Sequence, residues 1–288
     1  MEKCLCKSIN TNRFCIVVVF YNPTINQVQY FVSLSEKYHV IALDNSDCRL
    51  REHFPKKFDY IPFERNFGIA HALNAGLKRA GELGKFLWVL TLDQDSKISI
   101  DNFIDKAFAC IDSQSKVGVV APVFPGFSSN YKIVTGIRKV GSAMTSGSLI
   151  NLSAFNEVAG FKEFLFIDLV DTDFCFNLRL HGYFIYQVRD VILEHHLGNK
   201  GRSISICRRY LCSVTNHPAF RIYYMIRNLL WITAEYKSSL PAECKFLRKR
   251  IRGIILKVLF FENDKWNKIR AIYKGYCDYK HQRFGKLQ

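Results

Sequence analysis

The chain has 288 residues, a hydrophobic content of 49% and a net charge of +16, a composition that is typical of a folded protein and excludes a disordered one. The charge is uneven, because residues 201–288 hold 19 Lys and Arg against 5 Asp and Glu. No apolar run reaches the roughly 18–20 residues that cross a bilayer, and the first residues lack the apolar segment of a secretory signal. We therefore expect a cytosolic protein whose last third is a separate basic element.

The first part of the chain alternates between strand and helix patterns. Strands are predicted at 15–20, 39–43 and 60–63, and residues 26–38 carry apolar side chains at helical spacing. This pattern predicts a right-handed βαβ unit. Asp44 follows the second strand. It could accept a hydrogen bond from a base or ribose, or it could be an ordinary turn residue, and the sequence leaves both open.

A polar turn and a small-residue helix follow the third strand. Arg65, Asn66 and Gly68 precede a helix that is expected to run to about Gly84. A helix amino end with an arginine beside it suits a diphosphate. The segment contains neither the dinucleotide fingerprint nor a Walker lysine motif.

The next strand, at 86–92, ends in two carboxylates, Asp93 and Asp95. A short and wholly apolar strand is expected inside a parallel sheet, and ligands bind at the carboxyl edge of such sheets. One carboxylate could face a sugar or ribose while the other holds Mg²⁺ or Mn²⁺ against nucleotide phosphates. The alternative is a solvated turn with an Asx cap.

The middle of the chain adds further elements. A Thr-Ser-Gly-Ser motif includes Ser146 and Gly147, and Ser153 is expected to cap a helix that ends near Gly160. The other predictions here are a helix at 100–110, a strand at 117–121, a polar flexible loop at 122–130, and a strand at 149–152.

A second group of carboxylates lies at a helix start: Asp168, Asp171 and Asp173. Acids in a first helical turn favour the helix dipole, which would be a purely structural role. Asp171 could instead be a general base if it lies near a metal-nucleotide site. Two more strands, at 183–186 and 191–194, lead to His195, a candidate third metal ligand.

In their order and spacing these segments resemble the inverting family 2 glycosyltransferases of the GT-A fold, and within them the bacterial rhamnosyltransferases of O-antigen and capsule assembly. The likeness spans roughly residues 14–228. The motifs that carry it are Tyr21-Asn22, Asp44-Asn-Ser, Asn66-x-Gly-Ile-Ala-x-Ala-x-Asn74-x-Gly76, Leu92-Asp-Gln-Asp-Ser96, Ser146-Gly147, Phe166-Ile-Asp-x-Val-Asp171-x-Asp173, His195-x-Leu-Gly198 and Arg221-x-Tyr-Tyr-x-x-Arg-Asn228.

The resemblance implies a GT-A α/β fold with a mainly parallel central sheet, a catalytic domain at 1–205 and a basic helical extension at 206–288. It also implies transfer of L-rhamnose from dTDP-L-rhamnose, with another nucleotide sugar such as a UDP-hexose as the alternative. A divalent metal, Mg²⁺ or Mn²⁺, is implied as cofactor. Val170, before the expected base, matches the rhamnosyl branch, whereas Asn177 stands where an arginine is common, with Arg179 nearby.

The implied residue roles fall into four groups. Asp171 would be the catalytic base, and Asp95 would coordinate the metal with Asp93 and His195. Donor binding would involve Asp44 on the base and ribose side and Asp93 near the ribose or sugar. The remaining donor-binding positions would be Tyr21, Asn22, Arg65, Asn66, Gly68 and Asn74, and the positions with acceptor or structural roles would be Ser146, Gly147, Asp168 and Asp173.

The basic segment 244–261 carries apolar residues at helical spacing. Such a helix can lie on an anionic membrane surface, where a polyprenyl-diphosphate-linked saccharide acceptor would be found. We therefore expect peripheral association with the cytoplasmic face of the inner membrane. The helices could instead pack on the catalytic domain with a solvated basic face. A non-catalytic protein that binds a membrane or nucleic acid is the remaining alternative, but no nucleic-acid motif is present.

Overall fold

The computed structural model describes residues 13–47, 54–55, 58–124, 134–195, 202–206 and 209–287, with backbone only at 195, 202–206 and 209–213. The strands are β1 Phe14–Phe20, β2 Val40–Asp44, β3 Asp59–Pro62, β4 Trp88–Asp93, β5 Ser96–Lys97, β6 Val117–Val123, β7 Ile137–Val140, β8 Leu149–Asn151, β9 Phe184–Ile192, β10 Glu194–His195, β11 Arg202–Ile206 and β12 Arg209–Val214. The helices are α1 Ile25–Leu34, α2 Ile69–Glu82, α3 Ile100–Ser113, α4 Leu152–Glu157, α5 Val170–Leu180, α6 Ala219–Glu235, α7 Pro241–Phe260 and α8 Lys265–Lys280.

Eight strands form the central sheet in the order β3-β2-β1-β4-β8-β6-β9-β7. The pairs β3/β2, β2/β1, β1/β4 and β6/β9 are parallel. Strand β8 runs antiparallel to both β4 and β6, and β7 runs antiparallel to β9. The predicted α/β class with a mainly parallel sheet is therefore confirmed.

Strand β1 is buried along its whole length because helices cover both faces of the sheet. Its alternate residues enter two separate cores. Ile16 and Val18 join the core under α1 and α3, whereas Val17 and Val19 join the core under α2, α4 and α5. This two-sided burial explains why the strand sequence is continuously apolar rather than alternating.

Some local expectations differ from the structure. Asn151, not Ser153, caps α4, because its side-chain oxygen accepts hydrogen bonds from the backbone N–H groups of Ser153 at 2.9 Å and Ala154 at 3.2 Å. The two strands expected at 183–186 and 191–194 are largely one continuous strand, β9, followed by the short β10. Residues 125–130 of the expected flexible loop lie outside the described residues.

The C-terminal helices pack against α5 and the residues just before it. One apolar cluster joins Leu169 and Phe176 to Leu229 and Ile232 of α6 and Leu247 of α7. The inner faces of α6 and α7 thus belong to the same packed body as α5. No helix in the described part of the chain is long and apolar enough to cross a membrane.

Candidate active site

The carboxyl ends of the parallel strands bring the predicted donor residues to one edge of the sheet. In the strand register Phe20 lies opposite Asp44, and Val19 lies opposite Asp93. Tyr21, which follows β1, is therefore at the same edge as both carboxylates. This is the edge at which open α/β sheets bind their ligands.

Asp44 is held firmly by its own surroundings. It is 1% exposed, and its carboxylate accepts hydrogen bonds from the Tyr60 hydroxyl and from the Ser46 backbone N–H, the latter at 3.1 Å. The Ser46 hydroxyl oxygen in turn accepts a hydrogen bond from the Asn22 backbone N–H at 2.8 Å. Asp44 and Asn22 thus belong to one hydrogen-bonded network, which joins the ends of β1 and β2 at this edge of the sheet.

A second polar turn leads into α2. The side-chain oxygen of Asn66 accepts hydrogen bonds from the Gly68 N–H at 2.9 Å and from the Asn45 side-chain amide at 3.1 Å. Gly68 has φ +91°, and a Cβ there would lie 2.6 Å from the carbonyl oxygen of Phe166. Only glycine fits this position. The close approach places the amino end of α2 directly against the loop that precedes α5.

Two residues in this region that were predicted to bind the sugar donor, Arg65 and Asn74, contact other parts of the protein. The Arg65 guanidinium lies over the Phe67 ring, 4.2 Å from its centroid. Asn74 is buried inside the protein, where its amide nitrogen donates to the Phe161 carbonyl at 2.8 Å and to Glu163 at 2.9 Å. The structure therefore gives Asn74 a role in packing α2 rather than a place at the open edge.

The turn after β4 is shaped by the Thr-Ser-Gly-Ser motif. The Ser146 hydroxyl oxygen accepts a hydrogen bond from the Asp93 backbone N–H at 2.9 Å, and the hydroxyl donates to Ser96 at 2.8 Å. Gly147 has φ +79°, and its N–H donates to the Thr91 carbonyl at 2.7 Å. Ser146 and Gly147 thus hold the segment that contains Asp93 and Asp95 in place through hydrogen bonds to its backbone and side chains.

Backbone pairing brings His195 to the same turn. Strands β10 and β5 are antiparallel, and His195 lies opposite Ser96, one residue after Asp95. Two carboxylates and an imidazole are a donor set that suits Mn²⁺ or Mg²⁺. Within the described residues, which do not include the His195 side chain, no group of three or more potential ligands is arranged around one point.

Gln94 is a residue at this edge that the sequence analysis did not select. Its side-chain oxygen accepts a hydrogen bond from the Tyr21 backbone N–H at 2.8 Å, and its amide donates to the Tyr21 carbonyl at 3.2 Å. This pair of bonds ties the end of β1 to the turn after β4. The sequence feature that could have pointed to Gln94 is its position between Asp93 and Asp95.

Asp171 lies in the first turn of α5 and is half-buried. One carboxylate oxygen accepts hydrogen bonds from the Thr172 backbone N–H at 2.7 Å and the Thr172 hydroxyl at 3.3 Å. Burial, which penalises the charged form, raises the pKa of the Asp171 carboxyl above its usual range. A carboxylate with a raised pKa is a stronger base than an exposed one.

The two neighbouring carboxylates are held by structural partners. Asp168 accepts a two-pronged contact from the guanidinium of Arg221. Asp173 is fully buried and accepts a hydrogen bond from the Tyr236 hydroxyl at 2.8 Å, with the Lys162 ammonium 3.4 Å away. Of the three acids, Asp171 alone has no contact with a cationic side chain at ion-pair distance within the described part of the chain.

The loop from 164 to 169 that leads to Asp171 is clamped by α6. Arg227, which is 0% exposed, donates to the carbonyls of Phe164 at 3.2 Å and Leu165 at 3.0 Å. The side-chain amide of Asn228 donates to three carbonyls, those of Leu165, Ile167 and Asp168, at 2.8–3.0 Å.

This loop is conformationally unusual. Phe166, Asp168 and Leu169 have φ of +66°, +63° and +66°, a region that side-chain-bearing residues rarely adopt. The contacts from α6 hold the loop in that form. The Arg221-to-Asn228 motif therefore positions the segment before Asp171.

The model of the family described as glycosyl transferase family 2 matches residues 15–176. A protein of Shigella flexneri named dTDP-rhamnosyl transferase RfbF is 28% identical over 289 residues, which cover 92% of this chain and 93% of that protein.

Two solved structures share the fold. S. aureus TarS 1–349 in complex with UDP-GlcNAc has a TM-score of 0.54 at 16% identity, over 91% of this chain and 80% of that one. GalNAc-T7 with UDP, GalNAc and Mn²⁺ has a TM-score of 0.53 at 13% identity, over 94% of this chain and 58% of that one. Since the family model matches more than half of its length, the chain belongs to glycosyl transferase family 2 and is a glycosyltransferase with the GT-A fold.

Proposed function

We propose that this enzyme transfers L-rhamnose from dTDP-L-rhamnose to a polyprenyl-diphosphate-linked saccharide in O-antigen or related cell-surface polysaccharide assembly. The observation that carries the donor assignment is the likeness to the protein named dTDP-rhamnosyl transferase, which extends over 92% of the chain. At that coverage the likeness extends beyond the family 2 segment into the C-terminal helices. A family 2 transferase that uses a UDP-hexose is the alternative.

In the proposed reaction Asp171 is the general base. Its carboxylate takes the proton of an acceptor hydroxyl as that oxygen attacks the anomeric carbon. The bond between the anomeric carbon and the diphosphate breaks at the same time, and its electron pair leaves with the nucleoside diphosphate. Attack from the opposite face inverts the configuration. The raised pKa of Asp171 and its position in the first turn of α5 support this role.

The donor would lie along the sheet edge. We infer that Asp44 and Asn22 face the base and ribose, that Asp93 lies near the ribose or sugar, and that Arg65, Asn66 and Gly68 present the amino end of α2 to the diphosphate. Asp95, Asp93 and His195 would hold Mg²⁺ or Mn²⁺, which would offset the negative charge of the leaving diphosphate. The pairing of His195 with Ser96 supports this ligand set.

The acceptor would be reached at a membrane surface. Residues 201–288 carry 19 Lys and Arg against 5 acids, and basic residues near an anionic leaflet contribute about 1 kcal/mol each. We infer that the enzyme associates peripherally with the cytoplasmic face of the inner membrane. No role for nucleic acid is proposed.

The donor assignment is tested by thermal stabilisation with a panel of nucleotide sugars, with and without Mn²⁺ or Mg²⁺. At about 100 times its dissociation constant, dTDP-L-rhamnose should raise the melting temperature by roughly 5–10 °C in the presence of metal. The Asp95→Ala variant should lose the metal-dependent part of the shift. A larger shift with a UDP-hexose would keep the family but overturn the rhamnosyl assignment.

The pH dependence of turnover tests Asp171 separately. Only the carboxylate form accepts a proton, so activity should be complete above the raised pKa of Asp171 and fall as the pH drops through it. We expect the acid limb of the kcat profile at a pH above about 3.9, the ordinary pKa of an aspartate side chain. Circular dichroism at each pH restricts the profile to folded protein. An acid limb at or below the ordinary value would contradict the base assignment.

A further inference from the structure

The three C-terminal helices leave an open groove between them on the side away from the α5 loop. Its volume is about 330 Å³, and its lining is almost wholly apolar. Helix α6 contributes Ile226 and Leu230 to the lining, α7 contributes Ile251 and Ile255, and α8 contributes Ile269, Ile272 and two tyrosines. Apolar surface of this kind is unfavourable in water and marks a binding surface when it is contiguous.

Large apolar side chains stand exposed on the two outer helices that form the groove. On α8, Trp266 is 77% exposed and Tyr273 is 70% exposed. On α7, Phe260 is 65% exposed and Leu256 is 52% exposed. Tyrosine and tryptophan, which have an apolar ring and a polar atom, are enriched where a protein meets the membrane–water interface.

The two outer helices carry an excess of positive charge, which favours an anionic occupant. Residues 241–288 contain 13 Lys and Arg against 4 Asp and Glu. Three of the four acids are already in ion pairs: Glu243 with Arg179, Glu262 with Lys268 and Asp278 with Lys274. The same positive charge would repel a second copy of this surface, which argues against a homodimer through the groove.

We propose that the groove takes one hydrocarbon chain of an anionic membrane lipid, whose head group lies against the basic residues of α7 and α8. Helical spacing places the exposed Arg248 and Arg252 on the solvent side of Ile251 and Ile255, where such a head group would lie. This deepens the proposed membrane association, on which it rests. It adds a defined binding site for a lipid hydrocarbon chain to the non-specific electrostatic attraction of the basic residues.

The test uses the full chain, with decyl phosphate below its critical micelle concentration as a soluble probe in calorimetry. Ile255→Trp fills the groove without changing charge, and Phe246→Trp, a tryptophan substitution at a 68% exposed position on the other side of the same helix, is the control. We expect Ile255→Trp to weaken decyl phosphate binding by about tenfold or more and Phe246→Trp to leave it within about twofold.

Binding to lipid vesicles is the second measurement. Wild type and Phe246→Trp should bind phosphatidylcholine vesicles that contain one-third phosphatidylglycerol, and Ile255→Trp should bind them more weakly at matched salt. Should Ile255→Trp melt early, Ile272→Phe fills the same groove from α8. Melting temperature and the dTDP-L-rhamnose shift should stay at wild-type values in the groove variants, so a failure of lipid binding is distinguishable from a failure of the donor assignment.

Three results would overturn the groove assignment. In the first, the groove-filling variants bind decyl phosphate as well as wild type does. In the second, inorganic phosphate competes with decyl phosphate at equal concentration, which would mean that charge alone is recognised. In the third, sedimentation shows a dimer that decyl phosphate dissociates, which would make the groove an interface between copies.

Discussion

Replacing Asp171 by asparagine should lower kcat by roughly 10²- to 10⁴-fold, the usual contribution of a general base. Asparagine keeps the shape of the side chain and can still accept the Thr172 N–H bond, which is 2.7 Å long in the wild type. It cannot take a proton from an acceptor hydroxyl. The affinity for the nucleotide sugar should be nearly unchanged, because the residues proposed to bind it lie at the sheet edge and not on α5. Steady-state release of nucleoside diphosphate and the donor-induced thermal shift measure the two effects separately.

Asp173→Asn is the matched control for this experiment. It makes the same chemical change two residues later on α5, at a carboxylate that is bound to Tyr236 and lies near Lys162. An asparagine oxygen can still accept the Tyr236 hydrogen bond, so kcat should stay within a few-fold of wild type. Turnover by Asp171→Asn equal to that of Asp173→Asn would remove Asp171 as the base.

Replacing Arg227 by methionine should destabilise the whole enzyme. The guanidinium is fully buried and donates to the carbonyls of Phe164, Leu165 and Gly285. Methionine fills much of the space, and the carbonyls of Phe164 and Leu165 keep a second donor each. The Gly285 carbonyl and the Asn228 side-chain oxygen, which accepts from Arg227 at 3.0 Å, lose theirs, and each buried unsatisfied group costs about 1–3 kcal/mol. We expect a loss of about 2–6 kcal/mol in the free energy of unfolding, and a fall in melting temperature of about 4–12 °C.

Arg270→Met is the control, because Arg270 is an exposed arginine of α8. Surface substitutions of this kind change stability by about 0.5 kcal/mol or less. Asn228→Ala is a milder probe of the same clamp, since it removes the amide that binds three carbonyls of the loop. In this variant the folded enzyme should have a lower kcat, because the loop leads to Asp171. The thermal shift that the nucleotide sugar causes should be retained. Wild-type stability in Arg227→Met would show that the α6 contacts do not hold the loop.

The strands and the edge carboxylates were predictable because their signals are local. A run of apolar residues such as 15–20 records burial on both faces, and a polar residue directly after it must lie at the end of the strand. Asp44 and Asp93 were therefore placed correctly before any contact was known. Neighbouring positions in the register, Phe20 beside Asp44 and Val19 beside Asp93, then bring them together.

Contacts between distant segments could not be predicted in this way. Asn74 was expected at the donor, but it is buried against Phe161 and Glu163, about 90 residues later. The cap of α4 was misassigned by two residues because Asn151 and Ser153 are both good capping residues and only backbone geometry distinguishes them. Local composition does not encode which of two equivalent side-chain acceptors will meet the free N–H groups of the folded backbone.

By itself the sequence determined the fold class, the position of Asp44 and Asp93 at the carboxyl edge of the sheet, and the basic character of the last third. These follow from periodicity, strand length and charge, which each segment carries independently of its neighbours. Only the tertiary structure decided that Arg227 and Asn228 hold the loop before Asp171, and that the outer helices enclose an apolar groove. Both depend on which helix faces meet across long stretches of chain, and that is settled by the packing of the whole molecule.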